Sequence, residues 1–596
     1  MDVSRDADTQ TIALVGDPDV VLDGAETVAF DARAAKPVTV DVGNDDVEAV
    51  VRRMDFKVDG FSGSALAPVW IDELYAQPMD APEAESFDFT TRWRLQDPTL
   101  VLNAAKQQLD LIVQVGSTLL DGDIRARAVD AGLGSTEEFA AVDVTGKVAV
   151  VTRSDTVSAS ARAANAAAAG AKLLIVVNDA DGELSEWVGS EDYTTDVAIP
   201  VSAISGVQGR GLLEAIAAPK PVTITGEGIA VAGEVFDIAR YSDGSVPENL
   251  DYTPKELARI DTTYYGEQGA TVGEYRYDFV PSTQYGTGFP MRTERGIERA
   301  EWVNTDQVEW YQNVSAIDWG WDIRDVVRAY EPGERTEASY FGSVVRPYVG
   351  PGYWAPLRSG DGIQLNLPSW SDGDSAQRTG AFDTYAGTPG IAQSIELHLD
   401  GELVKTSQYQ GLNGWDIADG EHDVRVVNTA THDGTATPSS TMTRTEWAFS
   451  STWNSTDYTR HILPMLQAYY DVDLDGSGKV GAERKKGTPV RLGLELGHIA
   501  GAVGSGAITG ATLEARVAGG DWTVIDLDVT STDDSGPGEP PAGGFPEARA
   551  FLTTYDADIR VPDAGGWVDL RVTATDAEGG TFSQEIERAF EAASIK

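Results

Sequence analysis

The most chemically suggestive stretch is Asp471-Val-Asp-Leu-Asp-Gly-Ser-Gly. Asp471, Asp473 and Asp475 fall at positions 1, 3 and 5 of a calcium loop, Gly476 permits the sharp turn, and the Ser477 carbonyl would supply position 7. Hard oxygen donors at this spacing suit calcium. Position 12, usually a bidentate Glu, is Ala482, with Glu483 one residue late, and Gly487-Thr-Pro489 would end a following helix early. Two readings stay open: a calcium loop, and an acidic linker between β-domains. Asn178-Asp-Ala-Asp-Gly-Glu and Ser371-Asp-Gly-Asp-Ser have weaker spacing and read as turns, where Asn and Asp bond their own backbone.

Bond-breaking chemistry is harder to place. A serine hydrolase needs a Ser activated by a His that an Asp orients. His432-Asp-Gly-Thr carries an inserted residue for such a motif, Asp534-Ser-Gly follows the His in the chain, and Gly60-Phe-Ser-Gly-Ser lacks the final Gly of a nucleophile elbow. The five histidines, His398, His422, His432, His461 and His498, form no His-Glu-x-x-His pair. No catalytic residue and no organic cofactor is assigned. With no Cys in the chain, disulfides and thiolate metal sites are excluded.

The scaffold is predicted to be mainly β and multidomain: β-sandwich, immunoglobulin-like modules with an inserted α/β unit. At 596 residues the chain exceeds a single domain, and its 41% hydrophobic content supports globular cores. Alternation over Thr11–Val15, Pro37–Val42 and Val47–Val51 predicts strands. Further on, Leu100–Leu102 and Leu111–Val113 read as strands. Lys147–Arg153 and Lys172–Asn178 read as buried strands flanking an Ala-rich helix over Val157–Ala169, with Gly170 at its C-terminal cap. A third strand at Val197–Ser202, a helix over Gly209–Ala217 and a closing strand at Pro221–Thr225 complete a βαβ-type unit. The aromatic-rich region from 245 to 460 includes a hairpin turning at Asp400-Gly401. Its aromatics around Trp302, Trp310, Trp319, Trp321, Tyr353 and Trp354 read as core or packing residues, with a stacking platform as the alternative. The Gly/Pro-rich stretch from Asp534 reads as an exposed loop. The expected units are 1–120, 121–235, 236–460 and 461–596.

The formal net charge of -50 disfavours binding to nucleic acid and to anionic membranes. No apolar run is long enough for a membrane span. Met1–Asp8 has neither a basic nor an apolar signal region, so no signal peptide is expected.

Asp143-Val-Thr-Gly-Lys-Val-Ala-Val-Val-Thr-Arg153, the Ala-rich helix ending at Gly170, Lys172–Asp179 and Ile199-Pro-Val-Ser202 together resemble a protease-associated (PA) domain. Asp31–Asp41, Thr293-Glu-Arg, Tyr330-Glu-Pro-Gly-Glu-Arg, Leu463-Pro-Met-Leu-Gln and Val568–Gly580 are similar to the region that follows the catalytic domain in large bacterial subtilisin-like serine peptidases. The resemblance implies an extracellular, non-catalytic accessory region. Its PA domain would modulate substrate access or protein contacts and its β-modules would brace the assembly. The implied partners are protein or peptide substrates and an upstream peptidase domain. A free-standing extracellular protein- or glycan-binding module and a divergent hydrolase with an unrecognised site are the alternatives.

Overall fold

The structure is a computed structural model. It describes all residues except 1, 6–8, 22, 26, 84, 85, 283–285, 317–319, 351–353, 374–378, 383–389, 482, 483, 534, 541–547 and 596. Ala482, Glu483, Trp319, Tyr353, Asp374, Ser375, Asp534 and much of the Gly/Pro-rich loop therefore lie outside the described residues. The chain is mainly β and multidomain, and the α-helices among the described residues are Thr136–Ala141, Ala159–Ala168 and Gly206–Ala217.

All three belong to one α/β unit. Its sheet places Val148–Thr152, Leu173–Val177 and Val197–Ile204 side by side in parallel, with registers such as Val150 opposite Ile175 and Ile175 opposite Ser202. Leu173–Val177 is buried throughout, because helices or loops cover both faces, as parallel strands require. One face packs on Ala163 and Ala166 of the Ala-rich helix, the other on Leu212. That helix starts at a Ser158 cap accepting from Ala161 N at 3.2 Å. It ends at Gly170, whose φ of 76° suits a residue without Cβ. The third helix begins three residues before the expected Gly209, because Ser205 caps it by accepting from Gln208 N at 3.3 Å. Sequence reading missed Thr136–Ala141. Its signal is a reciprocal capping box, Ser135 with Glu138.

This α/β unit interrupts a sandwich. Phe87–Gln96 pairs antiparallel with Glu234–Asp243, so the chain leaves the sandwich after Gln96 and returns at Glu234 as its neighbour. These two strands lie within a seven-stranded sheet that also holds Glu48–Val58, Leu257–Tyr264 and Ile297–Asn304. A five-stranded sheet containing Thr271–Phe279 and Glu309–Ala316 faces it. On its other side the larger sheet covers an apolar core of Met54, Phe89, Trp93, Phe236 and Ile238.

The space between the two sheets is ionic. Arg53, Arg92, Arg94, Arg276 and Arg299 are buried there with Asp237, Glu274, Asp278 and Glu301. Arg92 reaches Asp237 at 2.5 Å and Asp278 at 3.2 Å; Arg53 reaches Asp278 at 2.8 Å and Asp55 at 2.5 Å; Arg299 reaches Glu301 at 2.6 Å. Arg94 and Arg299 also bind Glu274, and Arg276 binds Glu301. The Tyr264 hydroxyl lies 3.0 Å from both Glu274 and Glu301. Apolar clusters around Trp310 and Trp321 flank this network. Of the aromatics singled out in the sequence, Trp310 and Trp321 are buried as packing residues, together with Tyr264, Tyr340 and Phe341, whereas Trp302 and Trp354 are half-buried.

The C-terminal part holds a nine-stranded sheet and two four-stranded sheets around one large apolar core. Its hairpin turns at Asp400 and Gly401, with φ of 52° and 86°, the pair of positive values a type I′ turn needs.

Candidate functional site

In open α/β sheets, ligands meet the crevice beyond the carboxyl ends of the parallel strands. Here Arg153 follows the strand Val148–Thr152, and Asn178 and Asp179 follow Leu173–Val177. The Arg153 guanidinium contacts Asp155 at 2.8 Å, Asp179 at 3.1 Å and Glu186 at 3.7 Å, and the Asp179 bond leads in raising its pKa. Beneath it Arg162, buried on the Ala-rich helix, donates to Glu186 at 2.5 Å and to the carbonyls of Val157 at 2.5 Å and Ser154 at 3.1 Å. Neighbouring loops are thereby tied to one buried cation.

The Asn178 side chain shapes the next loop. Its Nδ2 donates to the carbonyls of Gly182 at 2.6 Å and Glu183 at 3.1 Å, and its Oδ1 accepts from Ala180 N at 3.3 Å. The stretch is a turn, as its composition suggests. Between this loop and the N-terminal strand lies a cleft of about 470 Å³ lined by Gln10, Trp70, Asp181, Glu183 and Ser185. It offers an indole, carboxylates and backbone groups. That set suits holding an extended, polar or basic segment.

The acidic stretch at 471–478 is a turn. Asp471 ends on the strand Gln467–Val472, exposed, and Asp473 is exposed just beyond it. Asp475 Oδ1 accepts from Ser477 N at 3.0 Å, Ser477 Oγ at 2.6 Å and Lys479 N at 3.0 Å. Asp475 N donates to the Lys479 carbonyl at 2.8 Å, closing the turn. The fold thus joins Asp475 to Ser477 and leaves Asp471 on the preceding strand. Metal binding through Asp475 would draw on its other oxygen or displace those donors. Among the described residues, no group of three or more His, Asp or Glu side chains converges as a metal site.

The histidines sit apart from the α/β unit. His422 Nδ1 is 2.7 Å from Asp400, and its Nε2 is 2.9 Å from the Ala418 carbonyl; the bond to Asp400, then that to Ala418, raises its pKa. Burial lowers that of His432, whose Nε2 lies 3.1 Å from the Ser439 carbonyl. His461 faces Asp457, and the fully buried His498 faces Asp576, each at 3.1 Å; His398 lies 3.1 Å from Glu396. Among the described residues, no hydrogen bond joins a His ring to a Ser hydroxyl.

Residues 113–212 match the family model described as the PA domain, which places the cleft and the Arg153–Glu186 cluster within or beside that domain. No curated protein matches the chain. Among solved structures, an aminopeptidase from Aneurinibacillus sp. strain AM-1 is 23% identical, over 27% of this chain and 35% of that chain, with a TM-score of 0.20. The peptidase M28 precursor from Shewanella amazonensis SB2B is 13% identical, over 39% and 44%, with a TM-score of 0.16. The psychrophilic subtilisin-like protease Apa1 from the Antarctic psychrotroph Pseudoalteromonas sp. AS-11 is 13% identical, over 28% and 39%, with a TM-score of 0.15. The chain thus spans less than half of each of these proteins, and likeness at these TM-scores carries no functional weight. The chain is a β-rich multidomain protein carrying a protease-associated domain. No helix among the described residues is long and apolar enough to cross a membrane.

Proposed function

We propose that this chain is the non-catalytic accessory region of an extracellular subtilisin-like serine peptidase, and that its PA domain captures protein or peptide segments for an upstream peptidase domain. The observation that carries this reading is the cleft of Trp70, Asp181 and Glu183 beside residues that match a PA domain. The β-modules brace the domain, since it is held between adjacent strands of a sandwich sheet. The reading includes calcium at the acidic turn, through Asp471, Asp473, Asp475 and the Ser477 carbonyl, which a melting-temperature titration with calcium against magnesium tests.

The deciding experiment is fluorescence anisotropy of dye-labelled casein peptides with the full chain, beside a turnover assay and fluorophosphonate labelling. Saturable binding, weakened by Trp70→Ala, with no turnover and no label, is the expected result. Peptide hydrolysis with a labelled serine overturns the non-catalytic reading, and absence of binding overturns the capture role.

A further inference from the structure

A buried guanidinium must be paired or fully hydrogen-bonded, because taking the charge out of water is costly. Most buried arginines here obey this with carboxylates: the five of the ionic core, and Arg162 with Glu186. Arg346 and Arg295 have no carboxylate within salt-bridge distance among the described residues. Arg346 is fully enclosed and donates to the carbonyls of Ala468, Ser371 and Asp372.

Arg295 differs because it borders a cavity of about 610 Å³, within the range of small-ligand sites. Its Nε donates to the Tyr265 carbonyl and its Nη1 to the Ala436 carbonyl, both at 2.8 Å. The guanidinium stacks near Phe341 at 5.0 Å and Trp321 at 5.9 Å. Nη2, with two N–H donors, has no partner among the described residues. Burial pushes the Arg295 pKa down to about 10, with Glu267 opposing from a distance, so the group stays charged near neutral pH.

The walls narrow the choice of ligand. Phe341 and Trp567 supply apolar surface, and the hydroxyls of Thr437 and Ser439, 3.0 Å apart, supply polar contacts. Lys479 is taken up by Glu591 at 3.0 Å. With Lys479 and Glu591 neutralising each other, Glu267 is the remaining carboxylate of the lining, and it repels a phosphate dianion more than a single carboxylate. We propose that this cavity binds a monocarboxylate bearing an apolar group, anchored on Arg295 Nη2 with the apolar group against Phe341 and Trp567. The natural occupant is the C-terminal residue of a peptide, an assignment that rests on the peptide-binding reading above, whereas the carboxylate site itself does not.

The test is calorimetric titration of the full chain with N-acetylphenylalanine and with its amide. The acid should bind with a Kd on the order of 1 mM and the amide at least about tenfold more weakly. Arg295→Met should abolish binding of the acid. Gly476→Phe supplies a second variant at the cavity rim: a Cβ at Gly476 meets nothing within 4 Å, so a side chain has room there and narrows the rim. It should weaken binding of the acid. Equal binding of acid and amide, unchanged binding in Gly476→Phe, displacement of the acid by equimolar inorganic phosphate, or no heat up to about 20 mM each overturns the proposal. Binding of the acid together with failure of the casein-peptide assay leaves the carboxylate site standing and removes the peptide terminus as its occupant.

Discussion

Asp237→Asn probes the ionic layer most directly. Asp237 is buried at the centre of three arginines, with Arg92 at 2.5 Å, Arg94 at 3.5 Å and Arg276 at 3.7 Å. Burial alone would raise its pKa; Arg94, Arg92 and Arg276 outweigh that and hold it at about 2, against an ordinary 3.8. A depression of that size corresponds to roughly 2 kcal/mol of stability. The substitution also leaves buried arginines one carboxylate short and turns an amide N–H₂ toward them, so the total loss at pH 7 should be about 3–5 kcal/mol. Because the folded pKa lies below the unfolded one, the stabilisation is complete above about pH 4 and is lost as pH falls through about 2. The gap between wild type and variant should narrow over that window. Native-state hydrogen exchange at Phe87–Gln96 and Glu234–Asp243 measures it locally, as a multidomain chain requires. Adding Arg92→Met restores charge balance and should recover part of the loss. A deficit below about 1 kcal/mol at pH 7, or one unchanged at pH 2, refutes the assigned electrostatics.

Gly209→Ala should destabilise the α/β unit by about 1–3 kcal/mol, because a Cβ there sits 2.3 Å from Val177 Cγ1; exchange rates over Leu173–Val177 report it. Asp97→Ala removes the carboxylate that accepts from Gly233 N at 2.8 Å and Glu234 N at 3.0 Å; it should cost about 2 kcal/mol locally and speed exchange at those two amides. His422 should titrate above 6.5 by NMR, and Asp400→Asn should lower its midpoint. The His422–Asp400 contribution to stability is therefore present below the unfolded pKa and is lost as pH rises through the folded one.

The α/β unit was legible because its signals are local: two continuous apolar runs, an Ala-rich helix between them, and Gly170 where a positive φ is needed. The Asp400-Gly401 hairpin was legible for the same reason. The ionic layer was not. Arg92-Trp-Arg94 and Glu274-Tyr-Arg276-Tyr-Asp278 alternate with period 2, and a polar stripe on a strand reads as a solvent face. Only the pairing of two sheets shows that both stripes turn inward, and that pairing joins residues some 180 positions apart, as in Arg94 with Glu274. The site divides likewise. The Asn178 turn follows from composition, whereas the bond between Arg162 and Glu186 depends on the helix and the loop meeting. The Asp471–Gly478 spacing names donor atoms without saying whether they converge, and the turn commits one oxygen of Asp475 to the backbone and hydroxyl around it.

How the α/β unit is mounted bears on what its cleft can do. The strands Phe87–Gln96 and Glu234–Asp243 pair up to Gln96 and Val235. Asp97 then ties the returning chain, and Ile229 N donates to the Thr99 carbonyl at 3.0 Å. Beyond that bond, Leu100–Ala104 pairs with Thr223–Gly228 inside the α/β sheet. The same two chain segments therefore run as a ribbon from one sheet into the other. A flexible linker would let the cleft wander; a paired ribbon stitched by a carboxylate holds it at a set orientation to the sandwich. Gln10, from the N-terminal strand, lines the cleft from outside the α/β unit, so the cleft's shape depends on that orientation. Loosening the ribbon at Asp97 should thus weaken casein-peptide binding without touching a residue of the cleft, and unchanged affinity in Asp97→Ala would show that the mounting does not matter to capture.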